Sequence, residues 1–265
     1  IDMQLAVAFF YVGEMTKAAA AFENQIAVLE DAGPKYESDL IELYNNVGVA
    51  YNYLSRHEDA RKNAQLVLDY RKAEFDAAPD PFVPGDEAEE LSTAYNNLAA
   101  SDMELALYDS AISNIGEAIR IADKMKSPPP TAALWYANLP VYLRKAGRDQ
   151  EAIIAARKAA IKIEALLPEN HPFGANNLSN LGVLLIERGK LSEAERVTRK
   201  ALDIASAAHG RESEQAAAFQ IAMAQILLSR GQDVAARQFG TAAQKTLLET
   251  SGANSGKEIL ARQKI

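Results

Sequence analysis

The chain has 265 residues, 48% of them hydrophobic and only 7% aromatic, with no cysteine and a formal net charge of −8. Without cysteine there is no disulfide, no thiolate chemistry and no cysteine-based zinc site, and an acidic chain lacking a basic run argues against a general nucleic-acid binder. No apolar stretch approaches the ~18 residues that cross a bilayer and no signal peptide opens the chain, so no membrane insertion is expected.

Taken in order, the expected elements are helices in pairs. The first pair covers 1–12 and 15–30 and breaks at Gly33-Pro34. The second, near 36–53 and 58–76, is followed by an irregular stretch over 77–85 whose prolines Pro79, Pro81 and Pro84 exclude a helix. That stretch reads either as a tolerated surface insertion or as a contact loop anchored by Phe82. The third pair starts at Asp86-Glu87, with Glu89 and Glu90 suiting a helix N-terminus. It runs to Leu105, resumes over 108–125 and is stopped by Pro128, Pro129 and Pro130. The fourth pair, 132–167, carries Pro140 inside its first helix, where a kink or a loosened start is expected. The fifth occupies 172–209, and the sixth 212–229 and 233–250. The stretch 255–265 reads as the opening of a truncated seventh unit or as a capping helix.

The clearest hairpin is 176–205, a helix, a turn at Gly189 and a second helix packed back on the first. Alone it could not bury its apolar faces, so it should be one unit of an array. The sequence repeats it. The turn glycine recurs as Gly147, Gly189 and Gly231, each 42 residues apart; Gly13 and Ser55 are also 42 apart, and Ala106 holds the third place. Three columns of mostly small residues run through the units. The second-helix column reads Ala18, Ala60, Ala111, Ala152, Ala194 and Ala236; the first-helix column reads Ala6, Gly48, Ala99, Pro140, Gly182 and Ala224. A later second-helix column reads Gln25, Val67, Ala118, Ala159, Ala201 and Ala243. Small residues in register let helices approach closely where larger side chains would hold them apart.

These columns resemble the tetratricopeptide repeat, and the 42-residue period with the runs Asn45-Asn46-Val47-Gly48 and Asn96-Asn97-Leu98-Ala99 resembles its kinesin-light-chain subtype. The connector Pro168-Glu169-Asn170-His171-Pro172 and the pair His209-Gly210 are similar to that subtype's linkers. A HEAT-type array is the rival reading, since its period overlaps. The resemblance implies an all-α, right-handed α-solenoid of about six antiparallel hairpins in one domain over 1–265. Its units would fall at 1–33, 36–78, 86–127, 131–168, 172–209 and 212–250.

No catalytic constellation is present. The three histidines, His57, His171 and His209, lack the i+4 partners of a helical metal site, and no phosphate-binding glycine loop or nucleophile elbow occurs. The chain therefore reads as a non-enzyme without metal or cofactor. One column carries a functional signal. Asparagine, a poor interior helix residue, occupies the same first-helix position as Asn46, Asn97, Asn138 and Asn180, with Asn45 and Asn96 beside two of them. In the family this column faces the concave groove, where one amide can satisfy both a peptide N–H and a peptide C=O. The alternative is that these residues bond neighbouring helices as spacers, and both roles can coexist.

The implied groove is lined by Glu42, Val49, Asn52, Tyr53, Thr93, Ala100, Met103 and Glu104, then by Leu134, Val141, Arg144, Lys145, Asn176, Val183, Ile186 and Glu187. In this reading the asparagines hold a ligand backbone, Arg144 and Lys145 meet an acidic side chain, and Tyr53, Met103 and Ile186 supply apolar contacts. The expected function is a protein-interaction scaffold binding a protein or peptide segment. A regulatory or sensor segment of a larger protein, attached to an effector such as a caspase-like protease, is the alternative. Self-association through exposed repeat ends is also open. A bacterial, cytoplasmic protein is expected, with the periplasm as the other compartment.

Overall fold

The computed structural model describes residues 3–78, 82 and 87–251, and no strand occurs among them. Twelve α-helices follow one another: α1 Met3–Tyr11, α2 Met15–Ala32, α3 Glu37–Tyr53, α4 His57–Ala77, α5 Glu87–Glu104 and α6 Tyr108–Ala122. They continue as α7 Ala132–Lys145, α8 Asp149–Leu166, α9 Pro172–Glu187, α10 Leu191–His209, α11 Glu214–Ser229 and α12 Asp233–Ser251. The expected pairs are all present, shifted by a few residues at their ends. The second pair differs most in kind: Pro34–Tyr36 forms a 3₁₀ turn before α3. The seventh-unit stretch 255–265 and most of the 77–85 loop lie outside the described residues. Phe82 lies within them and packs edge-on against Phe75, ring centroids 5.4 Å apart, beside the buried core of α4 and α5.

The chain divides into two compact units, Ile1–Ala146 and Gly147–Ile265. Unit 1 holds α1 to α7, and unit 2 holds α8 to α12. The division falls at the turn between α7 and α8. It also splits the composition. Unit 1 has 12 Lys and Arg against 23 Asp and Glu, a net −11, and contains all ten tyrosines and the tryptophan. Unit 2 has 16 against 13, a net +3.

Within each unit consecutive helices pack on one another in the layered manner of an α-solenoid. The small columns lie where expected, at the helix contacts. Ala6, Ala18, Ala60, Ala111, Ala152, Ala194, Ala201 and Ala243 are wholly buried. At Gly182 a Cβ would come within 2.9 Å of the Thr198 hydroxyl, so α9 and α10 approach there too closely for a larger residue. Larger side chains fill the intervening space, Phe22, Leu43 and Val47 early in unit 1, Trp135 and Ile115 later, Met223 and Ile226 in unit 2.

The turns explain the glycine register. The residue closing each first helix is left-handed in every hairpin: φ is 80° at Gly13, 74° at Gly147, 67° at Gly189 and 71° at Gly231. Glycine takes that conformation without a Cβ penalty. Ser55 at 58° and Ala106 at 56° take it too, at a cost of about 1–2 kcal/mol. Caps mark other boundaries. His171 caps α9, accepting from the Phe173 N–H, with Pro172 at the first helical position, and the Ser213 hydroxyl accepts from the Ala216 N–H at α11. The helix from Ala132 to Lys145 runs through Pro140 and buries its ring.

Candidate functional site

The asparagines come together in unit 1, and they bond chiefly to one another. Asn138 Nδ2 donates to Asn96 Oδ1 (2.9 Å), Asn96 Nδ2 donates to Asn97 Oδ1 (3.2 Å), and Asn97 Nδ2 donates to Asn45 Oδ1 (2.8 Å). Four carboxamides thus form a one-directional relay across α7, α5 and α3. Each central amide spends one N–H and one lone pair on the relay and keeps the other of each. Asn97 and Asn138 therefore act as spacers between repeats, and any ligand would meet only their remaining capacity. Asn46 is half-buried and makes no side-chain hydrogen bond among the described residues.

Beside the relay lie two adjoining clefts. The more apolar one, about 200 Å³, runs between α3, α4 and α5 and is lined by Val49, Tyr53, Val67 and Ala100, with Asn45, Asn52 and Asn97 at its polar edge. The other, about 420 Å³, includes Asn45, Asn46, Glu42, Arg71, Glu89, Glu90 and Thr93. Asn45, Val67 and Ala94 belong to both. Arg71 is bound to Glu74 (2.7 Å) and Glu90 (2.6 Å). Burial pushes the Glu90 carboxyl above its ordinary range, Arg71 opposes that, and the nearby Glu74, Glu42 and Glu87 add to it.

Tyr53 stands at the cleft 69% exposed, its ring edge-on to Phe10. On α7, Leu134, Asn138 and Val141 share one face by their i, i+4, i+7 spacing, and Leu134 and Val141 are exposed large hydrophobics. Arg144 and Lys145 end the same helix, exposed. Met103 is half-buried near the end of α5. Asn180, exposed and without a side-chain hydrogen bond among the described residues, and half-buried Ile186 lie on α9 in unit 2. The structure therefore gathers Asn45, Asn46, Asn96, Asn97, Asn138 and Tyr53 in unit 1, while Asn180 and Ile186 belong to the other unit.

A polar hub beneath this face escaped sequence reasoning. Asp102 is fully buried, and its carboxylate accepts from Arg61 Nε (2.6 Å), the Ser110 hydroxyl (2.6 Å) and Asn114 Nδ2 (2.9 Å). It fastens α4 and α6 to α5. Next to it, Asn52 Nδ2 donates to the Ser101 hydroxyl across repeats (3.1 Å). Arg61, Asp102, Ser110 and Asn114 sit in one hairpin and its predecessor at no repeated spacing, so nothing in the sequence marked them. Among the described residues no group of three or more His, Asp and Glu is placed to hold a metal, and no helix is long and apolar enough to cross a membrane.

Comparison with known proteins agrees with this architecture. Residues 177–215 match the tetratricopeptide repeat family. No curated protein sequence matches the chain. Among solved structures, BtubC (BKLC) from P. vanneervenii is similar over 92% of this chain and 94% of its own, at 15% identity and a TM-score of 0.72. The apo form of RapI is similar over 99% and 93%, at 16% identity and 0.68. The nearly identical TPR-like repeats of a provisionally named kinesin light chain from Podosopora anserina are similar over 83% and 99%, at 17% identity and 0.66. Such repeats are generally non-catalytic scaffolds for protein interaction. Residues 177–215 are a tetratricopeptide repeat by sequence, and the chain around them has the fold of a tetratricopeptide-repeat protein.

Proposed function

We propose that the chain is a protein-interaction scaffold that takes an extended or helical segment of a partner along the first-helix face of unit 1. The observation that carries this reading is the pair of adjoining clefts beside α3 and α5, edged by an exposed tyrosine and an amide with free hydrogen-bonding capacity. Asn46 and the unspent capacity of Asn45, Asn96, Asn97 and Asn138 would satisfy the partner's backbone, whose N–H and C=O both need partners once water is displaced. Tyr53, Leu134 and Val141 would bury its apolar side chains, with Met103 supplying a further apolar contact. Arg144 and Lys145 would meet an acidic group at the end of α7. In unit 2, Asn180 and Ile186 offer the same kind of contact on α9.

The test is a pull-down with the wild-type chain beside Asn46→Ala/Tyr53→Ala/Leu134→Ala, first shown by circular dichroism to be folded. These positions are part-exposed and lie outside the asparagine relay, so the fold should survive. Partners held by the wild type and lost by the variant are expected. Equal capture by both would overturn the assignment of the face.

A further inference from the structure

The two adjoining clefts of unit 1 differ in chemistry. The one between α3, α4 and α5 is walled by Val49, Tyr53, Val67 and Ala100. At about 200 Å³ it exceeds the roughly 150 Å³ that admits benzene in another protein, so it has room for one large apolar side chain. The other, about 420 Å³, sets three carboxylates, Glu42, Glu89 and Glu90, against one guanidinium, Arg71. Arg71 is largely buried and already held by Glu90 (2.6 Å) and Glu74 (2.7 Å). Glu42 is exposed and has neither an ion pair nor a hydrogen bond among the described residues, and Glu89 accepts from the Thr131 hydroxyl at 3.3 Å. The balance in the cleft is negative, and so is the unit around it, with 23 Asp and Glu against 12 Lys and Arg.

We infer that the partner segment carries a basic side chain, arginine or lysine, beside an apolar one, the basic group entering the acidic cleft while the apolar group fills its neighbour. This rests on the reading that the first-helix face of unit 1 is the docking face, and adds the partner's chemistry to it. The clefts share Asn45, Val67 and Ala94, so the two side chains lie next to each other. That fits alternate positions of an extended segment or positions one turn apart in a helix. The carboxylates are spread along the cleft, and among the described residues no group of three or more His, Asp and Glu is placed to hold a metal. A cation with several N–H donors can instead reach separated acceptors, including the Asn46 amide oxygen and the Thr93 hydroxyl at the same cleft. A free polyamine would answer the carboxylates but leave the apolar cleft empty, so the occupant is a protein segment. Charge matched in this way steers the encounter and rejects acidic competitors.

The test selects from a random peptide library displayed on phage against the full chain, then measures one selected peptide and its variants by fluorescence anisotropy. Selected peptides should be enriched in arginine or lysine at one of those two spacings from a large apolar residue. Replacing the basic residue by glutamine should weaken binding about five- to tenfold, and replacing it by glutamate should abolish it. Glu42→Lys, at an exposed position without bonds to lose, should remain folded, weaken the basic peptide by a similar factor and recover binding of the glutamate version. Basic peptides that bind Glu42→Lys as tightly as the wild type would overturn the assignment of the cleft. Neutral or acidic peptides that are lost on Tyr53→Ala would overturn the partner's charge and leave the docking face standing. Peptides indifferent to both substitutions, or a selection that enriches none, would overturn the inference and the docking face together.

Discussion

The two units build the same helical layers and tie them differently. Unit 1 adds inward polar ties between repeats to ion pairs such as Arg56 with Glu23 and Arg71 with Glu90: the asparagine relay across α3, α5 and α7, the Asn52–Ser101 bond, and the Asp102 carboxylate joining α4 and α6 to α5. In unit 2 the ties are ion pairs near the surface: Arg157 with Glu193, Lys200 with Glu164, Arg188 with Asp149, and Arg230 with Glu195. A repeat array needs only nearest-neighbour interfaces, so one backbone plan tolerates either solution. The consequence lies in what each unit responds to. Shielded amide and carboxylate bonds resist salt and punish the loss of a partner. Exposed pairs are screened, and each contributes little.

The largest expected effect is on the unit 1 hub. Asp102→Ala leaves a guanidinium, a hydroxyl and an amide without their shared acceptor, and should destabilise unit 1 by about 3 kcal/mol. Urea unfolding followed by Trp135 fluorescence reads this directly, because the tryptophan lies in unit 1. A second contrast comes from alkali. Burial, aided by Glu23, pushes the Tyr51 hydroxyl from 10.0 to about 12; burial does the same to Tyr142, aided by Glu104. Below pH 10 both folded and unfolded chains keep these protons. Between about 10 and about 12 only the unfolded chain releases them, so unit 1 loses stability across that window. Unit 2 has no tyrosine and should not share the loss. Tyrosine absorbance measured against helical signal in a pH series checks it.

Smaller effects sharpen the comparison. Ala106→Gly relieves a left-handed residue at a turn where other repeats carry glycine, and should stabilise unit 1 by about 0.5–1 kcal/mol in thermal unfolding. In unit 2, a double-mutant cycle on Arg157 and Glu193 should give a coupling below about 1 kcal/mol. Guanidinium and carboxylate form two bonds there, 2.9 and 2.7 Å, but on an exposed surface. The coupling should fade in about 1 M salt, where the screening length is about 3 Å.

Much of the fold was legible because close packing constrains sequence at fixed intervals. The alanine columns and left-handed turns recur together at steps of 42, 51, 41, 42 and 42 residues, since each marks a place where only a small or Cβ-free residue fits easily. The period could not reveal where compactness breaks. The boundary after Ala146 falls between α7 and α8, inside one expected repeat, and the whole-chain charge of −8 conceals units of opposite sign. The site was partly legible. Asparagine at one position per repeat identified the column, but the relay also recruits the preceding residue in Asn45 and Asn96. Whether an amide faces a ligand or its neighbour is set by side-chain rotation and helix spacing, neither of which a residue type encodes.

The most direct test of the central claim is photo-crosslinking from defined positions. A benzoylphenylalanine placed at Tyr53 or Val141 samples the first-helix face of unit 1, and one placed at Val28, 61% exposed on second helix α2, samples its second-helix side. The account predicts that one partner is captured from both Tyr53 and Val141 and not from Val28. Capture from Val28 alone, or equally from all three, would contradict it.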